Sequence, residues 1–343
     1  MNTYIAHTVR GLEDICLQEL KDNLKVEVSE VVPKKVVFVN GEDISLFQKL
    51  HTIDDVSILV ADFPFEREWF TDLSHFDQLV ASLDFTIARD VISKVRELGN
   101  TFSITVTAPN LKGISQKEIQ ERAAEIVAAK TGWKYTEMEH TNFDVRINIE
   151  ATEWFISVRL FPKPLHERNY SNLSHTATLK PTIAAALVYL VGKEGKGKSL
   201  VDSFCGTGTI LCEAARYGYD VYGGDINSQS IADAKLNLEQ CGISPNNVHV
   251  RNAIKSKLED ARFDCAISNL PWNEKVKVKS ITELLAGIAK EYKRIVKTGG
   301  KICFLAKRSD LLIKYLKKEF PDSKIQRTDI SFNGQNPSIV LVE

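Results

Sequence analysis

The sequence predicts an α/β protein: a mostly parallel sheet with a terminal antiparallel hairpin over residues 180–343, preceded by α+β modules over residues 1–160. Three observations carry this. Beyond residue 180 strand-like and helix-like runs alternate strictly, as a parallel sheet covered by helices on both faces requires. Before residue 160 the two kinds of run mix without that regularity. Near the end, Lys324–Phe332 and Ser338–Val342 flank an Asn333-Gly334 pair, a hairpin signal. A chain of 343 residues has room for two or three domains, and 43% hydrophobic with 26% charged residues excludes disordered and fibrous classes.

Taken in order, a first module over residues 1–65 reads as strand Thr3–His7, helix Gly11–Asp22, strand Val31–Val39, helix Ile44–Leu50 and strand Ser57–Ala61. A second, over residues 66–160, reads as helix Phe76–Glu97, strand Phe102–Thr107, a Pro109-Asn110 break and helix Ser115–Lys130. Ser115 and Glu118 make a capping box for that last helix. Alternating runs Phe143–Glu150 and Trp154–Leu160 close the module as a hairpin. Residues 161–179, with two prolines, read as a linker. The third domain, 180–343, opens with helix Lys180–Val191. It continues as strand Leu200–Phe204, helix Thr209–Tyr217, strand Asp220–Gly223, helix Ser228–Gln240 and strand Val248–Arg251. Strand Asp264–Ser268, helix Ile281–Val296, strand Lys301–Ala306 and helix Asp310–Phe320 lead to the hairpin.

The net charge of -1 argues by itself against a nucleic-acid binder, but the average conceals an asymmetry. Residues 1–165 hold 18 of the 44 basic and 26 of the 45 acidic side chains, a charge of −8, which leaves residues 166–343 at +7. The six cysteines include no CxxC pair and fit reduced thiols better than a disulfide framework. The longest apolar run, Ile183 to Gly192, is far short of the roughly 20 residues that span a bilayer. No signal peptide is visible, so a cytoplasmic protein without membrane contact is expected.

The chemistry concentrates in three places. Val201-Asp202-Ser203-Phe204-Cys205-Gly206-Thr207-Gly208-Thr209 is a buried strand running into a glycine turn and a helix, where backbone amides meet a ligand closely. Leu211 stands where a dinucleotide fingerprint needs glycine, and no Walker loop is present, which disfavours NAD and nucleotide triphosphates. Asp225, 19 residues beyond Gly206, ends the next strand, where a carboxylate accepts from ribose hydroxyls. Ser268-Asn269-Leu270-Pro271-Trp272 ends the fourth strand. There the Asn269 oxygen and the Leu270 carbonyl accept from an exocyclic amine while Trp272 stacks on a base. Each element also has a ligand-free reading: a tight strand-to-helix turn, a helix-capping Asp, and a Trp packed into the core.

In order and spacing, VDSFCGTGTI, GGDIN and NLPW resemble motifs I, II and IV of class I S-adenosylmethionine-dependent methyltransferases that modify exocyclic amines. The preceding LHERNYSNLSHTATLKPTIAAALV resembles the segment that leads into such domains in THUMP-domain tRNA methyltransferases. Residues 66–160 look like a THUMP domain behind an N-terminal ferredoxin-like module, and NLPW is similar to the archaeal-type enzymes acting at guanosine 6 of tRNA. The resemblance implies a Rossmann-like methyltransferase domain. It implies S-adenosyl-L-methionine held by Asp202, Phe204, Cys205, Gly206, Thr207, Gly208, Asp225, Ile226, Asn252 and Ala253, with His175 and Thr182 at its methionine end. Asn252 stands where many relatives carry Asp, and Leu270 where many carry Pro.

The implied reaction is direct transfer of a methyl group to guanine N2. Asn269, Leu270, Pro271 and Trp272 would orient the amine and clamp the flipped base. No metal is implied, since the seven histidines show no ligand spacing. For a tRNA partner, Lys275, Lys277, Lys279, Lys307, Arg308, Lys34 and Lys35 are the candidate phosphate contacts, a solvated face being the alternative for any one of them. Position 10 of tRNA, ribosomal guanosine and a noncatalytic RNA-binding adapter stay open as alternatives.

Overall fold

The computed structural model describes residues 1–41, 43–70, 73–109, 111, 113–137, 142–170, 179–272 and 281–343. The chain divides into two compact units, Met1–His7 with Glu19–Leu165 and Thr8–Gln18 with His166–Glu343. The first helix, α1 (Glu13–Asn23), therefore belongs partly to each.

The first unit is built on one eight-stranded sheet. Its strands are β1 (Asn2–His7), β2 (Glu27–Val32), β3 (Lys35–Asn40), β4 (Asp55–Pro64), β5 (Thr101–Thr107), β6 (Lys134–Tyr135), β7 (Phe143–Ile149) and β8 (Glu153–Arg159), in the order β2-β3-β1-β4-β8-β7-β5-β6. Antiparallel pairing of β4 with β8 carries the sheet unbroken across residue 65. Helices α2 (Ser74–Ser82), α3 (Thr86–Ser93) and α4 (Gln116–Thr131) complete the unit. Fully buried Trp154 meets Phe63 at 4.6 Å, Phe76 at 5.5 Å and Phe70 at 5.7 Å. The Ser115 hydroxyl caps α4 by accepting from the Glu118 N–H, as its spacing predicts.

Two elements depart from the sequence reading. The single strand expected over Val31–Val39 is a hairpin, β2 and β3, turning at Lys34 with φ of 72°. β2 is the edge strand and mostly exposed, so it carries no apolar alternation to betray it. The long helix expected over Phe76–Glu97 breaks into α2 and α3, where the Asp84 carboxylate accepts from the Thr86 N–H and hydroxyl.

The second unit holds a seven-stranded sheet. Strands β9 (Ser199–Asp202), β10 (Asp220–Asp225), β11 (Val248–Val250), β12 (Phe263–Asn269), β13 (Val296–Ala306), β14 (Ile325–Asp329) and β15 (Ser338–Val342) take the order β11-β10-β9-β12-β13-β15-β14. The pairs from β11 to β13 are parallel, and β15 runs antiparallel to both neighbours, as the Asn-Gly hairpin predicts. Asn333 and Gly334 take φ of 50° and 71°, the left-handed pair such a turn needs.

Side chains alternate along these strands between two cores. Leu200, Cys265, Ile267, Cys303 and Leu305 pack with helices α5 (Pro181–Val191), α6 (Thr209–Arg216) and α7 (Ser228–Gln240). Val201, Ala266, Ile302 and Phe304 pack with α8 (Ile281–Ile295) and α9 (Ser309–Glu319). Val9, Leu12 and Ile15 belong to the first of these cores.

The segment Thr8–Gln18 is fixed to the hairpin by its backbone. Ser331 donates its N–H to the Arg10 carbonyl at 2.9 Å, and Gly11, with φ of 93°, passes so close that a Cβ would lie 2.2 Å from the Asp329 carbonyl oxygen. Replacing Gly11 by Ala combines a backbone strain of roughly 1–3 kcal/mol with a forced displacement of the hairpin. Gly242, with φ of 72° and open space around it, carries the backbone strain alone. Thermal unfolding is therefore expected to fall further for Gly11→Ala than for Gly242→Ala, and equal shifts would refute a tight fit at residue 11.

Candidate functional site

Because β10, β9 and β12 are adjacent and parallel, their last residues, Asp225, Asp202 and Asn269, share the carboxyl edge of the sheet, where ligands bind in open α/β folds. From Asp202 the chain turns through Gly206 and Gly208, whose φ values of 50° and 86° are left-handed. The turn is tied down by the Cys205 N–H on the Gly224 carbonyl (2.9 Å) and the Gly208 N–H on the Cys205 carbonyl (2.7 Å). A Cβ on Gly208 would stand 3.2 Å from that of Ala234, so glycine also lets α7 approach. The Thr207 carbonyl accepts from the Asn237 amide at 2.8 Å.

The 19-residue spacing of Gly206 and Asp225 becomes direct contact. One Asp225 oxygen accepts the Gly206 N–H at 3.0 Å and the other the Asn227 N–H at 2.9 Å. Asn227, not Asp225, caps α7, accepting from the Gln229 and Ser230 N–H groups. Ile226 beside it is 74% exposed. The Arg251 N–H on the Asp225 carbonyl (2.8 Å) brings exposed Asn252 and buried Ala253 to the same edge. The Asn252 side-chain oxygen accepts the Ile254 N–H at 3.0 Å.

Asp202 is almost fully buried. Its Oδ1 accepts from the Ser268 hydroxyl at 2.7 Å and the Phe204 N–H at 2.9 Å, whereas buried Oδ2 has no hydrogen-bond partner in the protein. Burial pushes this carboxyl up to about 7; the Ser268 hydroxyl and the Phe204 N–H oppose the rise, and the charge of Asp225 adds to it. Burial also raises the Cys205 thiol well above its usual range, which keeps it protonated and unreactive. Phe204 packs against the core of α8 and α9. Thr182, in the first turn of α5, is fully buried. His175 lies outside the described residues.

At the end of β12 the Leu270 N–H donates to the Leu305 carbonyl at 2.9 Å and its side chain is buried, which anchors the Asn269-Leu270-Pro271-Trp272 corner. Pro271 and Trp272 are half-buried. The Trp272 indole N–H donates to the Asn269 Oδ1 at 3.1 Å, fixing the amide with its oxygen toward the ring. Phe332 meets Trp272 edge-on at 5.8 Å, and the Lys307 ammonium lies 5.6 Å from the indole centroid. The sequence reading missed Phe332. Its signal was the Asn333-Gly334 turn: β14 runs parallel to the main strands, so the hairpin tip that follows it lies at the carboxyl edge.

The basic candidates separate. Lys307 is half-buried beside Trp272, and Arg308 is exposed ahead of α9. Lys34 is exposed at the β2–β3 turn, and Lys275, Lys277 and Lys279 lie outside the described residues. Lys35 corrects the sequence reading: it is 3% exposed, its ammonium pairs with Glu153 and with Glu150 at 3.5 Å, and it lies 4.3 Å from the centroid of the Phe155 ring. That charge is spent inside the first unit and is not offered to phosphate. Among the described residues no three His, Cys, Asp or Glu side chains gather as a metal site, and no helix is long and apolar enough to cross a membrane.

Comparison with known proteins adds to this geometry. Residues 168–336 match the family described as RMKL-like, methyltransferase domain. Over 198 residues the chain is 28% identical to U6 snRNA (guanine-N(2))-methyltransferase THUMPD2 of Bos taurus, a match covering 57% of this chain and 38% of that protein. The chain thus spans well under half the length of that relative. TrmN from Thermus thermophilus has a similar fold, with a TM-score of 0.82 at 21% identity, covering 100% of this chain and 99% of that one. SMU.472, a putative methyltransferase solved complexed with SAH, follows at 0.73 and 16%, covering 99% and 97%. The orphaned Asp202 oxygen, the glycine turn and the Asp225 carboxylate are what an S-adenosyl cofactor, cationic at one end and a ribose at the other, requires. Residues 168–336 thus match the methyltransferase domain of the RMKL-like family, and S-adenosyl-L-methionine is the cofactor that this match and the sheet edge support.

Proposed function

We propose that the protein is a tRNA methyltransferase forming N2-methylguanosine, at position 6 of the acceptor stem, with a ferredoxin-like module (1–65), a THUMP domain (66–160), a linker (161–179) and the methyltransferase domain (180–343). One observation carries the reading: Asn269, oriented by the indole of Trp272, stands at the same sheet edge as Asp202, Asp225 and the glycine turn. An amide oxygen next to an aromatic ring suits an exocyclic amine on a flat base better than it suits an alcohol, thiol or carbon centre. The guanine-N2 chemistry on an snRNA named for the bovine relative supports the choice of amine and of an RNA substrate.

When bound, the cofactor supplies an electrophilic methyl group on a positively charged sulfur. Asp202 would hold the methionine end by charge, joined by Thr182, His175, Phe204 and the Thr207 N–H, with the turn through Cys205, Gly206 and Gly208 passing close beside it. Asp225 holds the ribose, and Ile226, Asn252 and Ala253 flank the adenine. Asn269 Oδ1 has a second lone pair beside the one used by Trp272; that lone pair and the Leu270 carbonyl accept the two N2 hydrogens and turn the nitrogen toward the methyl group. Transfer would form the N2–C bond as the methyl–sulfur bond breaks and leaves the sulfur neutral; both acceptors would stabilise the positive charge growing on N2, whose extra proton would pass to solvent. Trp272 stacks the base after it leaves the helix, offsetting an unstacking cost of a few kcal/mol. Lys307, Arg308 and the lysines at 275, 277 and 279 meet the RNA backbone.

Incubation with labelled S-adenosylmethionine and unmodified tRNA transcripts, followed by mass spectrometric mapping, is expected to place N2-methylguanosine at position 6; label on position 10 or on ribosomal RNA alone would refute the assignment. Asn269→Ala is expected to lower kcat on the order of 100-fold while leaving cofactor affinity intact by calorimetry. Asp225→Ala is expected to do the converse at the binding step, raising the cofactor Kd about tenfold or more through lost charge-assisted hydrogen bonds. Affinity for tRNA should fall steeply with salt. Lys307→Ala should reduce the slope of log K against log salt by about 1, and Lys35→Ala should leave it unchanged.

A further inference from the structure

A chain of buried hydrogen bonds lies behind the site. The Ser203 N–H donates to the Tyr292 hydroxyl at 3.3 Å, Tyr292 donates to the Ser268 hydroxyl at 2.6 Å, and Ser268 donates to the Asp202 carboxylate at 2.7 Å. Because Ser268 gives its only proton to the carboxylate, the proton between the two hydroxyls belongs to Tyr292. Every donor then points toward Asp202. Asp202 is 1% exposed, Ser203 3%, and Ser268 and Tyr292 0%. Packing does not explain the hydroxyls: the Tyr292 ring stacks on Phe304 at 5.3 Å, a contact Phe would make as well, and Ser268 sits where β12 would accept Ala.

We propose that Ser268 and Tyr292 are positioning residues of the transfer site, a hydrogen-bonded relay from α8 that locks the carboxylate facing the cofactor to the strand end carrying Asn269. Ser268 immediately precedes Asn269, so one hydroxyl fixes both the first motif and the amine-binding corner. The relay sets the distance between the group that holds the methyl donor and the group that holds the methyl acceptor. An in-line displacement depends on that distance more than on the strength of either contact. The proposal rests on the roles given to Asp202 and Asn269 under the proposed function.

The relay also governs ionisation. The titratable groups around Asp202 are Asp225 at the end of β10, Cys205 on the turn and Tyr292 from α8, and the hydroxyl of Ser268 is a donor that favours the carboxylate form. Affinity for a cationic cofactor rises as Asp202 ionises, so in the wild type it climbs with pH through neutrality. Loss of the Ser268 hydroxyl removes a donor to the anion and moves that midpoint to higher pH.

The test uses the full chain and three proteins: wild type, Ser268→Ala and Tyr292→Phe, the last keeping the ring and its stacking. Calorimetric titration with S-adenosylmethionine from pH 5.5 to 9 reads the midpoint, and tRNA methylation reads kcat and KM. The relay is supported if Ser268→Ala moves the midpoint upward and both variants lower kcat about tenfold or more with KM for tRNA unchanged. It is overturned if both variants keep the wild-type midpoint and kcat, or if they lose only thermal stability. A wild type that binds the cofactor with the expected pH dependence yet methylates no RNA refutes the proposed function, and the midpoint of Ser268→Ala still judges the relay.

Discussion

Burying a carboxylate is among the more expensive choices a fold can make, and in this protein Asp202 is buried with one oxygen satisfied and the other not. Much of the second unit is organised around that expense. The backbone after β9 folds back to give it the Phe204 N–H, β12 gives it the Ser268 hydroxyl, and α8 supports Ser268 through Tyr292. The parallel pairing of β12 with β9 brings the Ser268 hydroxyl beside Asp202. The remaining oxygen keeps an unmet demand for a positive charge, which in a folded protein marks a place prepared for a ligand.

The site is a property of topology as much as of residues. Asp225, Asp202 and Asn269 lie 23 and 67 positions apart in sequence, yet parallel strands in the order β10-β9-β12 bring their ends into one row. The neighbouring β13 and the turned-back β15 bring in Lys307 and Phe332, which set the indole of Trp272 between a cation and an aromatic edge. The antiparallel ending matters here, because a strand entering from the opposite direction places the hairpin tip at the working edge.

Much of this was legible in the sequence, for physical reasons. The central strands β9, β12 and β13 of the second unit are largely buried and α6 and α8 are amphipathic, so their patterns show directly, and β10 through α7 fall within two residues of the spans predicted. Contact between Gly206 and Asp225 follows from strand geometry. What sequence could not show was partnership. Lys35 reads like any basic residue until Glu150 and Glu153, more than 100 positions away, close on it. Ser268 and Tyr292 are ordinary residue types whose meaning lies in their mutual distance, and the exposed edge strand β2 has no apolar pattern. The charge asymmetry survives: counted by structural unit, the chain divides into −7 and +6.

The membership of Thr8–Gln18 in the second unit also bears on how the protein is made. Arg10 waits for Ser331, 321 residues downstream, and Val9, Leu12 and Ile15 wait for the same core. At translation rates of about 5–20 residues per second that interval is roughly 15–65 s, during which the core that covers these three apolar side chains is incomplete. The working unit therefore closes only after the hairpin has been synthesised. Its high contact order makes it slow to assemble and gives chaperones something to hold. A ribosome stalled before the hairpin would release a chain whose Thr8–Gln18 segment lacks its backbone anchor at Ser331.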